Sequence, residues 1–351
     1  MIFASDNWAG ASETVTAAVA AAARLGGRAY GNDDLTRGLT RRFSELFERE
    51  VAVFLVGTGT AANTLAIASY ARPGGVVLCH RHAHINVDEA GASEFFGGTK
   101  LVGIEGRDGK YAAEDLARVL ERYPEGNVHY GRPVVASLAE ITELGATYAP
   151  EEIAAIAAVA KRRGMAVHMD GARFAGAVAA LGASPADLTW RAGVDVLSFG
   201  GTKNGCLAAE AVVFFNPAEA ADFGFARQRA GHGFSKAWFI AAQFDAFLAD
   251  GHWLDLARHA NAMGARLAAA IRGSRSARLA LEPAANEIFA IMPKALEARL
   301  KAAGAVFNPW SVETLPAEER PGPDEVLVRL ITSFQTRAED VDACAARLAS
   351  G

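Results

Sequence analysis

The strongest constraint on this chain is a rhythm. Short apolar runs end on glycine or a polar side chain, and helical stretches follow them. Residues 51–56 (VAVFLV) run into Gly57-Thr58-Gly59-Thr60, and residues 60–70 (TAANTLAIASY) then have helical character. Residues 76–80 (VVLCH), 134–138 (VVASL), 166–169 (AVHM), 194–199 (VDVLSF) and 211–215 (AVVFF) repeat the strand-like pattern. Residues 151–163 open after Pro150 with glutamates and close on basic residues before Gly164, the charge order that suits a helix dipole. Strands joined through helices must run mainly parallel, and such sheets present their ligands beyond the strand carboxyl ends. The fold expected is therefore α/β, a mainly parallel sheet flanked by helices.

After about residue 245 the pattern changes. A long helical stretch, 252–272, precedes a mixed region with strands expected at 287–292 and 326–331. The chain of 351 residues is thus divided into a large domain, 1–245 with its N-terminal segment 1–20, and a smaller C-terminal α+β domain, 246–351.

Bulk properties narrow the function classes. Apolar residues make up 51% and charged residues 21%, a globular balance, and the net charge of −5 offers no basic face to nucleic acid. The three cysteines, Cys79, Cys206 and Cys344, are too few and too dispersed for a disulfide framework or a zinc cluster. The start MIFASDNWAG has no charged-then-apolar leader, and charge interrupts each apolar run too early for a membrane span. A cytoplasmic protein without a membrane or nucleic-acid partner is expected.

Four strand-end units could carry chemistry. In Ser198-Phe-Gly-Gly-Thr-Lys203-Asn-Gly, a lysine follows a buried strand through a glycine turn. Amines in such settings form Schiff bases with carbonyls, pyridoxal phosphate included; a lysine in a surface turn is the plain alternative. In Val167-His-Met-Asp170-Gly-Ala-Arg173, the carboxylate could pair with a pyridine nitrogen and keep it protonated, and the guanidinium could reach a ring oxygen, or the pair could merely cap a helix. Gly57-Thr58-Gly59-Thr60, between strand and helix, could cradle a phosphate; it is neither a Walker loop nor a spaced dinucleotide fingerprint. In Cys79-His-Arg-His-Ala-His84, three histidines raise a metal reading, but a single ring stacked on a flat cofactor explains His84 without one, and no metal is expected.

Taken together these units resemble the low-specificity L-threonine aldolases, fold-type-I pyridoxal-phosphate enzymes of the beta-eliminating lyase/threonine aldolase group. The segments that carry the resemblance include FASDNWAG, AYGNDDLT, GTGTAAN, AHINVDEAGA, ITELGATY, HMDGARFAGA, AGVDVLSFGGTKNG and VRLITSF. The resemblance implies pyridoxal 5'-phosphate bound to Lys203, with Asp170 at the pyridine nitrogen, Arg173 at the ring oxygen, and Thr58, Gly59 and Thr60 at the phosphate. It implies His84 on the ring face, with His129 as a second active-site histidine. Ser5 and Arg329 would hold the substrate carboxylate. Tyr30 would lie near a neighbouring subunit's site, and Arg229 and Lys236 would reach an adjacent phosphate, so that a homo-oligomer, dimer or tetramer, shares its sites at subunit boundaries. The activity implied is retro-aldol cleavage of L-threonine-like and L-allo-threonine-like β-hydroxy-α-amino acids to glycine and an aldehyde. Its alternatives are specialisation for phenylserine-like substrates, a β-eliminating lyase, a racemase, and a cofactor-free binding protein; no glycine fingerprint supports a nicotinamide dehydrogenase.

Overall fold

A computed structural model describes residues 1–349. Seven strands form the larger sheet: β1 (Ala52–Val56), β2 (Gly75–His80), β3 (Lys100–Ile104), β4 (Arg132–Ala139), β5 (Ala166–Gly171), β6 (Val196–Gly200) and β7 (Glu210–Phe214). Their order is β1-β7-β6-β5-β4-β2-β3. β7 is antiparallel to both its neighbours, and every other pairing is parallel. Six strands therefore point the same way, so that the carboxyl ends of β1, β2, β4, β5 and β6 meet the amino end of β7 along one edge.

The continuous apolar runs fit this position. Every residue of β2, β5, β6 and β7 is buried, as expected for strands covered on both faces. The polar interruption in β5, His168, is satisfied internally between the hydroxyls of Ser137 (2.9 Å) and Ser198 (3.0 Å). Burial pushes this imidazole down to about 4, so it stays neutral. The strand expected from residue 194 begins at Val196 because the Asp195 carboxylate turns back to accept the Val167 N–H at 2.7 Å.

Two helix starts matter to the site. The helix Gly59–Tyr70 is capped by Thr58, whose hydroxyl accepts from the Ala61 N–H at 3.2 Å. The helix Pro150–Arg162 has Pro150 in its first turn, and Glu152 accepts the Ala149 N–H at 2.8 Å.

The second sheet comprises β8 (Arg278–Leu279), β9 (Glu287–Pro293), β10 (Asn308–Pro309) and β11 (Glu325–Ile331), antiparallel throughout in the order β10-β11-β9-β8. It has its own core, built around Leu267, Ile288, Ala290, Val328, Leu330 and Val341. Phe3 belongs to that core too. Its N–H donates to Val306 O and its carbonyl accepts from Ile331 N, so the chain's first residues are stitched to the second sheet. The helix His252–Arg272 touches both halves, packing on the helix Phe174–Leu181 and on the helix Ala338–Ala349.

Candidate functional site

The sequence units that were far apart in the chain converge where the strands end. A cleft of about 260 Å³ is lined by Gly57, Thr58, Gly59, Thr60, Asn63, His84, Asp170, Thr202 and Lys203, with Asn7, Glu143, Ala172 and Glu210. Lys203 sits in a single turn, Thr202–Asn204, directly after β6. No hydrogen bond or ion pair holds its amine among the described residues, so the nitrogen is free for covalent chemistry.

Two glycines let β5 and β6 deliver these groups side by side. A Cβ on Gly171 would stand 2.7 Å from Ser198 O, and one on Gly200 would stand 2.7 Å from Ala172 O. Any larger residue would push the two strand ends apart, and with them Asp170 and Lys203.

Asp170 is buried and held from two sides. The Asn63 amide donates to Oδ2 at 2.7 Å and the Ala172 N–H to Oδ1 at 2.9 Å. The same Asn63 nitrogen donates to Glu89 at 2.9 Å, and Glu89 meets His84 Nδ1 at 2.7 Å. A continuous polar chain thus joins the histidine to the aspartate. The bond to Glu89 holds the His84 ring above its ordinary titration range, while burial raises Glu89 itself. With Nδ1 engaged, His84 keeps Nε2 for the cleft.

Beside the cleft lies a second group of charges. Arg173 donates through Nε to Asp6 Oδ2 at 2.7 Å and through a terminal nitrogen to Oδ1 at 3.0 Å, and that nitrogen lies 3.3 Å from Glu287. The Asn286 amide adds a contact to Asp6 at 3.3 Å. One guanidinium therefore faces two carboxyls. Asp6 has the bidentate geometry and is held below the ordinary carboxylate range, although burial opposes this. Glu287 has no well-formed hydrogen bond on either oxygen, and burial pushes it up to about 7. Arg329, on β11, stacks over the Trp310 ring at 3.9 Å and leaves Nε buried without an acceptor. Ser5 caps the turn Asp6–Trp8 by accepting the Asn7 N–H at 3.1 Å.

The structure separates four expected residues from this cleft. His129 is exposed in the loop before β4, at the amino end of a strand whose carboxyl end faces the site. It does not line the cleft of its own chain. Tyr30, Arg229 and Lys236 are also exposed. Their surroundings still reach the phosphate turn: the Gly57 N–H donates to His232 Nδ1 at 3.2 Å, and Tyr30 N donates to Ser235 O at 3.0 Å. Of the three clustered histidines, only His84 enters the cleft. His80 is buried and accepts from the His82 N–H, and His82 pairs with Arg81. Among the described residues no group of three or more His, Cys, Asp or Glu is placed to hold a metal ion.

This donor set suits a flat aldehyde carrying an anion. The first amides of the helix Gly59–Tyr70 have no intrahelical acceptor and meet the positive end of its dipole, which suits a phosphate. The buried Asp170 carboxylate suits a protonated pyridine, and the unpaired Lys203 amine suits the aldehyde. Comparison with known proteins agrees. The beta-eliminating lyase family model matches residues 3–294. The chain belongs to the beta-eliminating lyase family. Within that family it is 41% identical over 298 residues to a low specificity L-threonine aldolase of a Pseudomonas species, covering 84% of this chain and 86% of the relative. It is 41% identical over 306 residues to that of Pseudomonas aeruginosa, covering 87% and 88%. The solved threonine aldolase of Leishmania major superposes with a TM-score of 0.91 at 26% identity, over 99% of this chain and 98% of that one. A serine palmitoyltransferase from Sphingomonas wittichii shares the fold, with a TM-score of 0.72 at 17% identity, over 100% of this chain and 86% of that one. The fold is thus that of the fold-type-I enzymes, and the cofactor that the cleft takes is pyridoxal phosphate. No described helix is long and apolar enough to cross a membrane.

Sequence reasoning named the lysine, the aspartate and the phosphate turn, but not Asn63, Glu89, Asp6, Glu287 or Glu210 as site residues. Glu89 had a local signal, five residues beyond His84. Asp6 and Glu287 had none, because their partners lie far away in the chain.

Proposed function

We propose that this protein is a pyridoxal-phosphate-dependent aldolase that cleaves L-threonine-like and L-allo-threonine-like β-hydroxy-α-amino acids to glycine and an aldehyde. The observation that carries the reading is one cleft lined by an unpaired lysine, a buried aspartate, a histidine with one nitrogen tied back, and a helix N-terminus. Bound there, pyridoxal phosphate supplies an electron-accepting ring that stabilises negative charge at the amino acid's Cα.

The chain's own residues supply the rest. Lys203 Nζ is the amine that attaches the cofactor. Thr58, Gly59 and Thr60 hold the phosphate through hydroxyls and helix amides. Asp170, fixed by Asn63 and by the Ala172 amide, keeps the pyridine nitrogen protonated. Arg329, whose buried Nε lacks an acceptor, binds the substrate carboxylate, with Ser5 beside it. Arg173 is committed to Asp6 and Glu287 through Nε and one terminal nitrogen, so a contact to the ring oxygen falls to its other terminal nitrogen. His84, oriented by Glu89, takes the β-hydroxyl proton. As that O–H bond breaks, the Cα–Cβ bond breaks with it, Cβ leaves as the aldehyde carbon, and Cα takes a proton to give glycine. Tyr30, His129, Arg229 and Lys236 serve the cleft of a neighbouring copy in a homo-oligomer.

The test is chemical. Incubation of the holoenzyme with L-threonine, L-allo-threonine and phenylserine should release glycine and the matching aldehyde. 2-Oxobutyrate from the threonines, or phenylpyruvate from phenylserine, with ammonia would mean β-elimination instead, and inversion at Cα without cleavage would mean racemisation. Lys203→Ala should abolish the yellow absorbance that borohydride traps; an unchanged, trappable chromophore would refute the assignment.

A further inference from the structure

Of the three carboxyls that line the cleft, Asp170, Glu210 and Glu143, one has no protein partner. Asp170 accepts from Asn63 and from the Ala172 N–H, and Glu210 faces the amide and hydroxyl of Thr202. Glu143 is half-buried in the cleft wall and makes no hydrogen bond or ion pair among the described residues. A carboxylate in such a wall is costly to cover with an apolar group, because its lost water contacts are not replaced.

The backbone fixes Glu143 in that position. The Glu140 N–H donates to Asp170 O at 2.7 Å, so the chain leaving β4 stays beside the end of β5. It then turns tightly, the Thr142 N–H donating to Ala146 O at 2.9 Å and the Thr142 hydroxyl to Asp108 O at 2.8 Å. The Ala284 N–H donates to Gly145 O at 3.2 Å and ties the same turn to the segment entering β9. Glu143 is therefore held where the large sheet meets the second one. Its charge acts on both His84 and Arg329, the groups assigned above to the β-hydroxyl and to the substrate carboxylate.

We propose that Glu143 is a specificity-determining residue that accepts a hydrogen bond from a donor on the substrate's Cγ, so that γ-hydroxylated β-hydroxy-α-amino acids are preferred and the aldehyde released carries an α-hydroxyl. The assignment rests on the aldolase reading and follows by elimination. The substrate's amine is taken up at the cofactor, its carboxylate at Arg329 and its β-hydroxyl at His84. None of these is left to donate to Glu143, and the next donor a substrate can bring is on the carbon beyond Cβ. Threonine ends there in a methyl and leaves room for water at Glu143. A longer apolar chain displaces that water and returns no hydrogen bond, and an anionic chain is repelled. No bond is made or broken at Glu143.

The experiment uses pairs that differ in a single group. γ-Hydroxy-L-threonine and β-hydroxy-L-norvaline have the same skeleton, with a hydroxyl in one where the other has a methyl, and cleavage releases glycolaldehyde and propionaldehyde. Wild-type holoenzyme should favour the hydroxylated member by at least about 10-fold in kcat/KM, the effect of one hydrogen bond to a charged acceptor. In Glu143→Leu that preference should disappear or reverse, and in Glu143→Gln, which keeps a neutral acceptor, it should be intermediate. Damage to the turn alone would slow both substrates alike and leave their ratio unchanged. Equal rates in wild type, or a ratio that survives Glu143→Leu, would overturn the proposal. A second pair needs no cleavage: L-homoserine and L-norvaline, titrated against holoenzyme through the change in cofactor absorbance. Their dissociation constants should show the same preference in wild type and the same loss in Glu143→Leu, and a constant ratio would again overturn it. Wild type that cleaves neither β-hydroxy amino acid would instead remove the aldolase reading, while the binding pair would still decide the role of Glu143.

Discussion

Glu287→Gln tests whether burial holds this carboxyl neutral, and the structure gives both the sign and the size of the effect. Glu287 is fully buried on β9, near Arg173 and Arg329, with Asp6 as a competing carboxylate. Asp6 takes the bidentate face of Arg173, so Glu287 is the surplus acid, and burial raises it from 4.5 to about 7. A raised carboxyl costs stability as it ionises. Below about pH 4.5 it is protonated in both the folded and unfolded chains and contributes no difference. Between about 4.5 and 7 the unfolded chain has released the proton while the folded chain still holds it, so stability falls as pH rises. Above about 7 the loss is complete. At about 1.4 kcal/mol per pH unit the total is ~3 kcal/mol. Glutamine keeps the shape of the neutral acid and cannot ionise, so it escapes this loss. Urea unfolding of both proteins, each saturated with cofactor, should give similar stabilities near pH 4.5. By about pH 8 the variant should be ahead by ~3 kcal/mol. Other groups titrate alike in both proteins and cancel in the difference. A gap that is flat with pH, or one that favours wild type increasingly toward alkaline pH, would show that Glu287 is an ionised partner of the arginines and would refute the reasoning.

Three further substitutions divide the roles in the cleft. Asp170→Asn removes the negative charge and keeps only one of the two accepted contacts, from Asn63 or from the Ala172 N–H, because an amide nitrogen cannot accept; kcat should fall about 100-fold or more while cofactor still binds, and near-wild-type turnover would count against an aspartate that keeps the ring protonated. Glu89→Gln takes the negative charge out of the bond that raises His84, leaving a neutral acceptor, so the acid limb of the kcat/KM profile should move to lower pH, with the cofactor spectrum unchanged; an unmoved limb would mean that His84 is not the titrating base. Arg329→Lys loses the planar two-point contact to a carboxylate, and KM should rise about 10- to 100-fold, the equivalent of a charge-assisted hydrogen bond, with little change in cofactor affinity; an unchanged KM would place the substrate carboxylate elsewhere.

What could be read in the sequence follows from how far each interaction reaches along the chain. The strands of the large sheet were legible because parallel strands covered on both faces need continuous apolar runs, and β2, β5, β6 and β7 have them. β3 was missed because its run is interrupted by Gly103 and begins at the exposed Lys100. The phosphate turn, Asp170 and Lys203 were legible because each is attached to the end of its own strand. The charge pair that fixes Arg173 was not, since Asp6 lies 167 residues away, and the stitching of residues 2 and 3 onto the second sheet helps to bring it there. His129 is a different case. A likeness of local sequence placed it in the site, but the direction of β4 places it at the far end of the sheet. Within one chain, therefore, the sheet positions the cofactor groups and the N-terminal segment completes their electrostatics.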